Sequence, residues 1–285
     1  MMTEGALVLE GGSLRCVFTA GVLDVLTEQN IKFAYVNGVS AGTMAAMNYI
    51  SGQKGRMLQI NEEYLHDRRY MSLKHLIKDR LVFNFDFVFG ELSSELIPFD
   101  YQAFYASPQK FEVAATRCKT GKTEFFEKST CPEMMKAVQA SCSMPVLSRM
   151  VTVNHRKYLD GGVSLPIAYR RAMELGYEKT VLILTRQKGY KKPPAGRIAG
   201  KIYGHYFKPL PQLLKSIHEI PERYNKMQDE IERLEEEGKI FVIRPEKPVE
   251  VSRLERDIEK LRILHREGRE TAEKKMESLM EYLNH

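Results

Sequence analysis

Short unbroken apolar runs alternate with longer amphipathic stretches along most of this chain. Residues 6–9, 33–36 and 180–184 are runs of this kind at strand length, the pattern of strands buried on both faces, and 111–116 reads as another strand of the sheet. Val17, Ala20, Gly21, Leu23, Val25 and Leu26 recur at helical spacing after the first run, residues 41–50 follow the second as a helix, and residues 53–79 read as helical and charged. Residues 123–126 predict a strand that pairs with 111–116 across Thr120-Gly121-Lys122. Thr130 and Glu133 form a capping-box pattern with Pro132 in the first turn of a helix carrying Met134, Ala137 and Val138. Residues 151–153 and 157–159 flank Asn154-His155 as a hairpin, and Ser164 is placed to cap a helix that ends at Gly176. Residues 213–234 predict helix with Pro221 breaking it or starting a second one, and 239–244 a last strand. Ser252 and Glu255 predict the cap of a further helix with Leu254, Ile258 and Leu261, and a final helix carries Ala272, Met276, Leu279, Met280 and Leu283. Strands alternating with helices mean an α/β fold: three layers, α/β/α, around a mainly parallel central sheet, with extra C-terminal helices. One stretch stays open. Phe83, Phe85, Phe87 and Phe89 share a face if residues 81–90 are extended, and that face suits either the core or the wall of an acyl-chain pocket.

With 285 residues, 43% of them hydrophobic, the chain can bury the core of a single α/β domain. No Gly/Ser/Pro-rich linker divides it, so residues 1–245 are expected to form the main domain and 246–285 a helical extension packed on it. No run of about 18 apolar residues is present to span a bilayer. The first residues have neither the basic segment nor the apolar core of a signal peptide, which gives the expectation of a cytoplasmic protein. Cys16, Cys118, Cys131 and Cys142 are scattered and read as reduced thiols, not as a zinc site. The net charge of +6 permits an anionic partner. Residues 186–218 hold eight Lys/Arg and no acidic residue, with Tyr190, Tyr203, Tyr206 and Phe207 among them. That composition fits a solvated surface or a patch for the anionic headgroups of a membrane. No nucleic-acid motif accompanies it, so no nucleic-acid partner is expected.

The chemistry concentrates in two glycine-rich turns, each between a predicted strand and a helix. Gly38-Val39-Ser40-Ala41-Gly42 is a G-x-S-x-G pattern, and a tight strand-to-helix turn of this kind exposes its serine as a nucleophile. Gly11-Gly12-Ser13-Leu14-Arg15 lacks the G-x-G-x-x-G spacing of a dinucleotide site, and no P-loop pattern occurs. Such a turn offers bare backbone N–H groups that can hold an oxyanion: those of Gly12 and Ser13, with Ala41 from the other turn, while Gly11 shapes the bend. In a parallel sheet both turns lie at the carboxyl ends of the strands, where ligands bind. No histidine among the seven sits in a recognisable motif, and no H-E-x-x-H or EF-hand loop implies a metal. No cofactor is expected.

Together with a later Asp160-Gly161-Gly162, and with Ala140-Ser141 and Met144-Pro145 upstream of it, these turns resemble the patatin-like phospholipase family over about residues 5–190. The family pattern is G-G-G-x-[R/K]-G, then G-x-S-x-G, then D-G-[G/A]. The resemblance implies a serine acyl hydrolase with a Ser-Asp dyad: Ser40 attacks the ester carbonyl, and Asp160 takes its proton and later activates water. It implies a lipid ester substrate of phospholipase A or lysophospholipase type. Arg15 stands where the family accepts Lys or Arg, in a role that anchors the turn through a carboxylate or meets a substrate phosphate. Two positions depart from the pattern: Ser13 replaces the third glycine and Cys16 the last. A serine at position 13 is strained if the turn needs a positive φ. These departures keep a second reading open, a weakly active or inactive lipid-binding protein on the same fold.

Overall fold

The computed structural model describes residues 2–71 and 82–284 of the chain. His75, His285, Leu81 and residues 72–79 of the stretch expected to be helical therefore lie outside the described residues, while residues 65–70 are described and continue as turns, not helix. The strands in chain order are β1 (Met2–Leu9), β2 (Lys32–Gly38), β3 (Lys110–Arg117), β4 (Thr123–Glu127), β5 (Val151–Val153), β6 (Arg156–Asp160), β7 (Thr180–Ile183) and β8 (Phe241–Ile243). The helices are α1 (Cys16–Glu28), α2 (Ala41–Ile50), α3 (Arg56–Tyr64), α4 (Phe85–Phe89), α5 (Tyr101–Ala106), α6 (Met134–Cys142), α7 (Tyr169–Glu174), α8 (Arg197–Phe207), α9 (Pro211–His218), α10 (Ile220–Glu236) and α11 (Ile258–Asn284).

Five strands run parallel in the order β3-β2-β1-β7-β8. Helices cover both faces, so the middle strands have no polar side. In β1, Leu7 and Leu9 pack with α1, α2 and α11, whereas Ala6 and Val8 pack with α7 and α10. All four side chains are fully buried. The three-layer α/β/α expectation holds. No helix among the described residues is long and apolar enough to cross a membrane.

β3 has a further role. Ala115 pairs with Glu124 of β4 and with Asp160 of β6, both antiparallel, so β4 and β6 lie on opposite edges of β3. Glu112 pairs with Glu127 of β4 and with Asn37 of β2, so β2 and β6 share one edge. They follow each other end to end along it, β2 ending at Gly38 opposite Val113 and β6 ending at Asp160 opposite Ala115. The abutment leaves no room for a side chain at Gly161, where a Cβ would lie 2.2 Å from the carbonyl oxygen of Ala114. The β5–β6 hairpin turns at Asn154 (φ 47°) and His155 (φ 60°), the two positive angles of a type I′ turn.

Several expected local features differ. Residues 85–89 form a helix, not an extended piece, so Phe85 and Phe89 stack edge-on at 6.0 Å one turn apart while Phe87 enters the core. Glu133 does not close a capping box: its carboxylate takes the N–H of Asn154 at 2.7 Å, in the hairpin turn. Ser164 does not cap α7, because its hydroxyl is engaged with Thr116 and Thr123. The C-terminal segment is one helix, α11, whose first amides are taken by Asp257 and not by Ser252.

α11 lies on α1 at backbone distance. A Cβ on Gly21 would meet the carbonyl oxygen of His265 at 2.1 Å, and one on Gly268 that of Phe18 at 2.2 Å. The His265 and Asp24 side chains join at 2.9 Å beside this crossing. Leucine at position 268 would force the helices apart, and overpacking of this kind costs about 1–3 kcal/mol or more. Gly268→Leu is expected to lower the urea midpoint of unfolding at unchanged slope, as read by circular dichroism.

Candidate active site

α2 starts directly after Ser40, and the turn before it is tight: Gly42 donates to the Val39 carbonyl at 2.9 Å, and Thr43 to that of Ser40 at 2.9 Å. A Cβ on Gly42 would lie 2.7 Å from the Glu10 carbonyl oxygen, so only glycine lets the two βα turns pack together. Ser40 itself has φ 55°, ψ −131°, a conformation that costs a non-glycine residue of order 1–3 kcal/mol. It is held there by the buried Ser141, whose hydroxyl accepts the Ser40 N–H at 2.9 Å and donates to the Ala114 carbonyl at 2.7 Å. Ser141 thus ties the elbow to β3.

The Ser40 hydroxyl points at the end of β6 and donates to Asp160 Oδ2 at 2.7 Å. The other carboxylate oxygen accepts the Gly162 N–H at 2.7 Å. Both side chains are more than nine-tenths buried. Burial pushes the Asp160 carboxyl up to about 6, against the opposing pull of its two hydrogen bonds and of the Arg253 and Lys192 charges. No described histidine lines the two pockets that open beside Ser40.

The first turn lies against the elbow, since a Cβ on Gly11 would be 2.9 Å from the Ser40 Cβ. Ser13 takes φ 53°, and its hydroxyl donates to the Arg253 carbonyl at 2.7 Å. The strain that a serine there implies is therefore present, with a hydrogen bond to hold it. Among the described residues, no protein acceptor takes the N–H of Ser13 or of Ala41. The Cys16 thiol behind this turn donates to the Glu10 carbonyl at 3.5 Å, and burial pushes it strongly up. Arg15 is buried, yet among the described residues no carboxylate anchors it and its Nε has no partner. Burial, with Arg186 and Arg253 nearby, lowers its guanidinium to about 10.

Two pockets meet at Ser13 and Ser40. One, with a cavity volume of about 90 Å³, is walled by Leu14, Met44, Ile60, Phe83, Phe85 and Phe89 among others, so three of the four phenylalanines face it. The other, about 520 Å³, is lined by Asp160, Glu10, Arg15, Arg186, Lys192 and Arg253 among others. Sequence reasoning did not single out Glu10, which is buried and accepts the Thr185 N–H at 2.6 Å and the Tyr224 hydroxyl at 2.7 Å. It also left Lys192 and Arg253 undistinguished among many basic residues. The arrangement as a whole presents a hydroxyl on a carboxylate, two open amides and an apolar cleft, the parts needed for acyl transfer.

The family model for patatin-like phospholipase matches residues 7–171, and one described as a domain of unknown function (DUF6363) matches residues 210–284. The chain is 28% identical over 270 residues to the uncharacterized protein YjjU of Escherichia coli K12, covering 93% of this chain and 74% of that protein. Among solved structures, VipD from Legionella pneumophila aligns with a TM-score of 0.48 at 15% identity, over 99% of this chain and 67% of that one. The first of the family matches takes in both glycine-rich turns, Ser40 and Asp160, and more than half of the 285 residues. On that match, the chain belongs to the patatin-like phospholipase family, a family of lipid ester hydrolases.

Proposed function

We propose that the protein hydrolyses fatty-acyl esters of phospholipids or lysophospholipids, with Ser40 as nucleophile and Asp160 as its base. The observation that carries this is the 2.7 Å hydrogen bond between the Ser40 hydroxyl and a carboxylate raised by burial to about 6. A general base works best when its pKa lies near the operating pH, and an ordinary aspartate lies too low. As the Ser40 oxygen bonds to the ester carbon, its proton passes to Asp160. The Ser13 and Ala41 amides receive the charge that develops on the carbonyl oxygen, with Gly12 beside them. Asp160 returns the proton to the departing alcohol, then takes one from a water that attacks the acyl-enzyme, releasing the fatty acid and restoring Ser40. The apolar cleft suits the acyl chain. The competing reading, a lipid-binding protein with little activity, is favoured by the strained φ of 53° that Ser13 takes in the oxyanion turn.

Within residues 186–218, α8 is the segment best suited to a membrane surface. Ile198 is 77% exposed and Ile202 41% exposed one turn later, on a helix whose Arg197 and Lys201 are also exposed. By contrast, Lys188 pairs with Glu236 and Lys191 with Asp229 on α10. We place peripheral contact with anionic lipid on α8.

Ser40→Ala should lower hydrolysis of a short-chain nitrophenyl ester by about a thousandfold or more, and Asp160→Asn by about a hundredfold or more. Full activity in Ser40→Ala would remove the dyad. In the wild type, kcat/KM should rise through about pH 6 and level off above it, because Asp160 accepts a proton only when ionised. Stability should move the opposite way. The folded carboxyl holds its proton to higher pH than the unfolded one, so ionising it costs stability between the ordinary aspartate range and about pH 6, and fully above that. Asp160→Asn should therefore melt above the wild type at pH 8, with the gap closing toward pH 4, by differential scanning calorimetry. Sedimentation with anionic vesicles should weaken about tenfold or more in Ile198→Ser/Ile202→Ser and fall as salt rises.

A further inference from the structure

The larger pocket carries an excess of positive charge that the protein does not neutralise. Arg15, Arg186, Lys192 and Arg253 line it, against two carboxylates, Glu10 and Asp160. Those carboxylates are already engaged, Glu10 by the Thr185 amide and the Tyr224 hydroxyl, Asp160 by Ser40 and the Gly162 amide. None of the four cations forms an ion pair among the described residues. Arg15 is only 7% exposed, and its Nε lacks any partner. The Lys192 ammonium rests on the Tyr224 ring, 4.1 Å from its centre, while its backbone is fixed on both sides by Asn225. Arg186 lies over the Tyr190 ring at 4.7 Å and gives one N–H to the Val249 carbonyl. The neighbouring Lys188 and Lys191 point outward and do find carboxylates on α10. Arg15, Arg186 and Lys192 are therefore unpaired in a region where partners for lysine are at hand, and the exposed Arg253 stands with them along the pocket wall.

Such a cluster raises its own energy. Burial, together with Arg253 and Arg15, lowers Lys192 to about 8, and an anion among the four would relieve the repulsion. Two guanidinium groups and an ammonium suit a phosphate, which accepts several charge-assisted hydrogen bonds. We propose that Arg15, Lys192 and Arg253, with Arg186 behind them, bind a phosphomonoester on the alcohol side of the scissile ester, making the preferred substrate an acyl ester with an uncapped phosphate, such as lysophosphatidate. A choline headgroup fits poorly, because its cation would enter a pocket where four cations already face only two carboxylates. The assignment of the alcohol side rests on the Ser40–Asp160 reading; the anion site does not.

Binding is measured on the Ser40→Ala protein by calorimetry with glycerol 3-phosphate, glycerophosphocholine, glycerol and inorganic phosphate. Glycerol 3-phosphate should bind at least about tenfold more tightly than glycerophosphocholine, and Lys192→Met and Arg253→Met should each weaken it about tenfold, the worth of one charge-assisted bond. In parallel, the wild type is assayed on lysophosphatidate, lysophosphatidylcholine and monoacylglycerol, where the phosphomonoester should be preferred and Arg253→Met should reduce that preference. Glycerol 3-phosphate binding without hydrolysis of any lipid would leave the anion site standing and remove the catalytic reading. Hydrolysis of all three lipids at similar rates, with no phosphate binding, would overturn the anion site and leave the catalytic reading intact. Inorganic phosphate binding as tightly as glycerol 3-phosphate, with no preference among lipids, would assign the pocket to free phosphate and overturn the lipid proposal.

Discussion

The edge of β3 is the constraint on which the site depends. β2 and β6 reach it from opposite directions and stop where Val113 and Ala115 sit. Each strand delivers one side chain of the proposed dyad at its end, Ser40 just beyond β2 and Asp160 as the last residue of β6. Two groups 120 positions apart in sequence thus meet because one strand aligns both. Ser141 strengthens the same alignment by bonding the Ser40 amide and the Ala114 carbonyl of β3 at once. The register of three strands, not a flexible loop, sets the 2.7 Å contact, and sites built on such elements hold their geometry well.

That placement is unfavourable by itself. Ser13 and Ser40 both take left-handed φ values, and Asp160 is buried with only two hydrogen bonds to its carboxylate. Together these cost several kcal/mol, and the packed layers on either side of the sheet must offset them. The chemistry we propose draws on the same unfavourable terms. The strained turn aims the serine hydroxyl at Asp160, and burial lifts the carboxylate toward neutral pH. The cation-lined pocket follows this pattern, with Arg15 buried unpaired beside the site.

Much of the fold was legible from periodicity, because the strands of a covered parallel sheet are continuous apolar runs and the glycine-rich turns mark their ends. The pairing of Ser40 with Asp160 was not legible from spacing; it came through resemblance to a family, since β3's shared edge leaves no local signature. Local patterns failed where tertiary partners outcompeted them. Glu133 serves the hairpin at Asn154, and Ser164 serves Thr116 and Thr123, so neither is available as a helix cap. The phenylalanine stretch misled because positions 85 and 89 fit an alternating strand and one helical turn equally well, and only the folded chain distinguishes them. The basic segment showed a run of charge but could not separate Lys188 and Lys191, which are paired on α10, from Lys192, which faces the pocket.

The central claim is that a buried carboxylate, and no other group, activates Ser40. The rate at which a fluorophosphonate labels Ser40, followed by intact-protein mass spectrometry across pH 4 to 9, tests it most directly, since labelling needs the nucleophile and its base but no lipid binding. The account predicts a wild-type labelling rate that falls tenfold per pH step below about 6, and a slow, nearly pH-independent rate in Asp160→Asn. Equal labelling of the two proteins at every pH would contradict it.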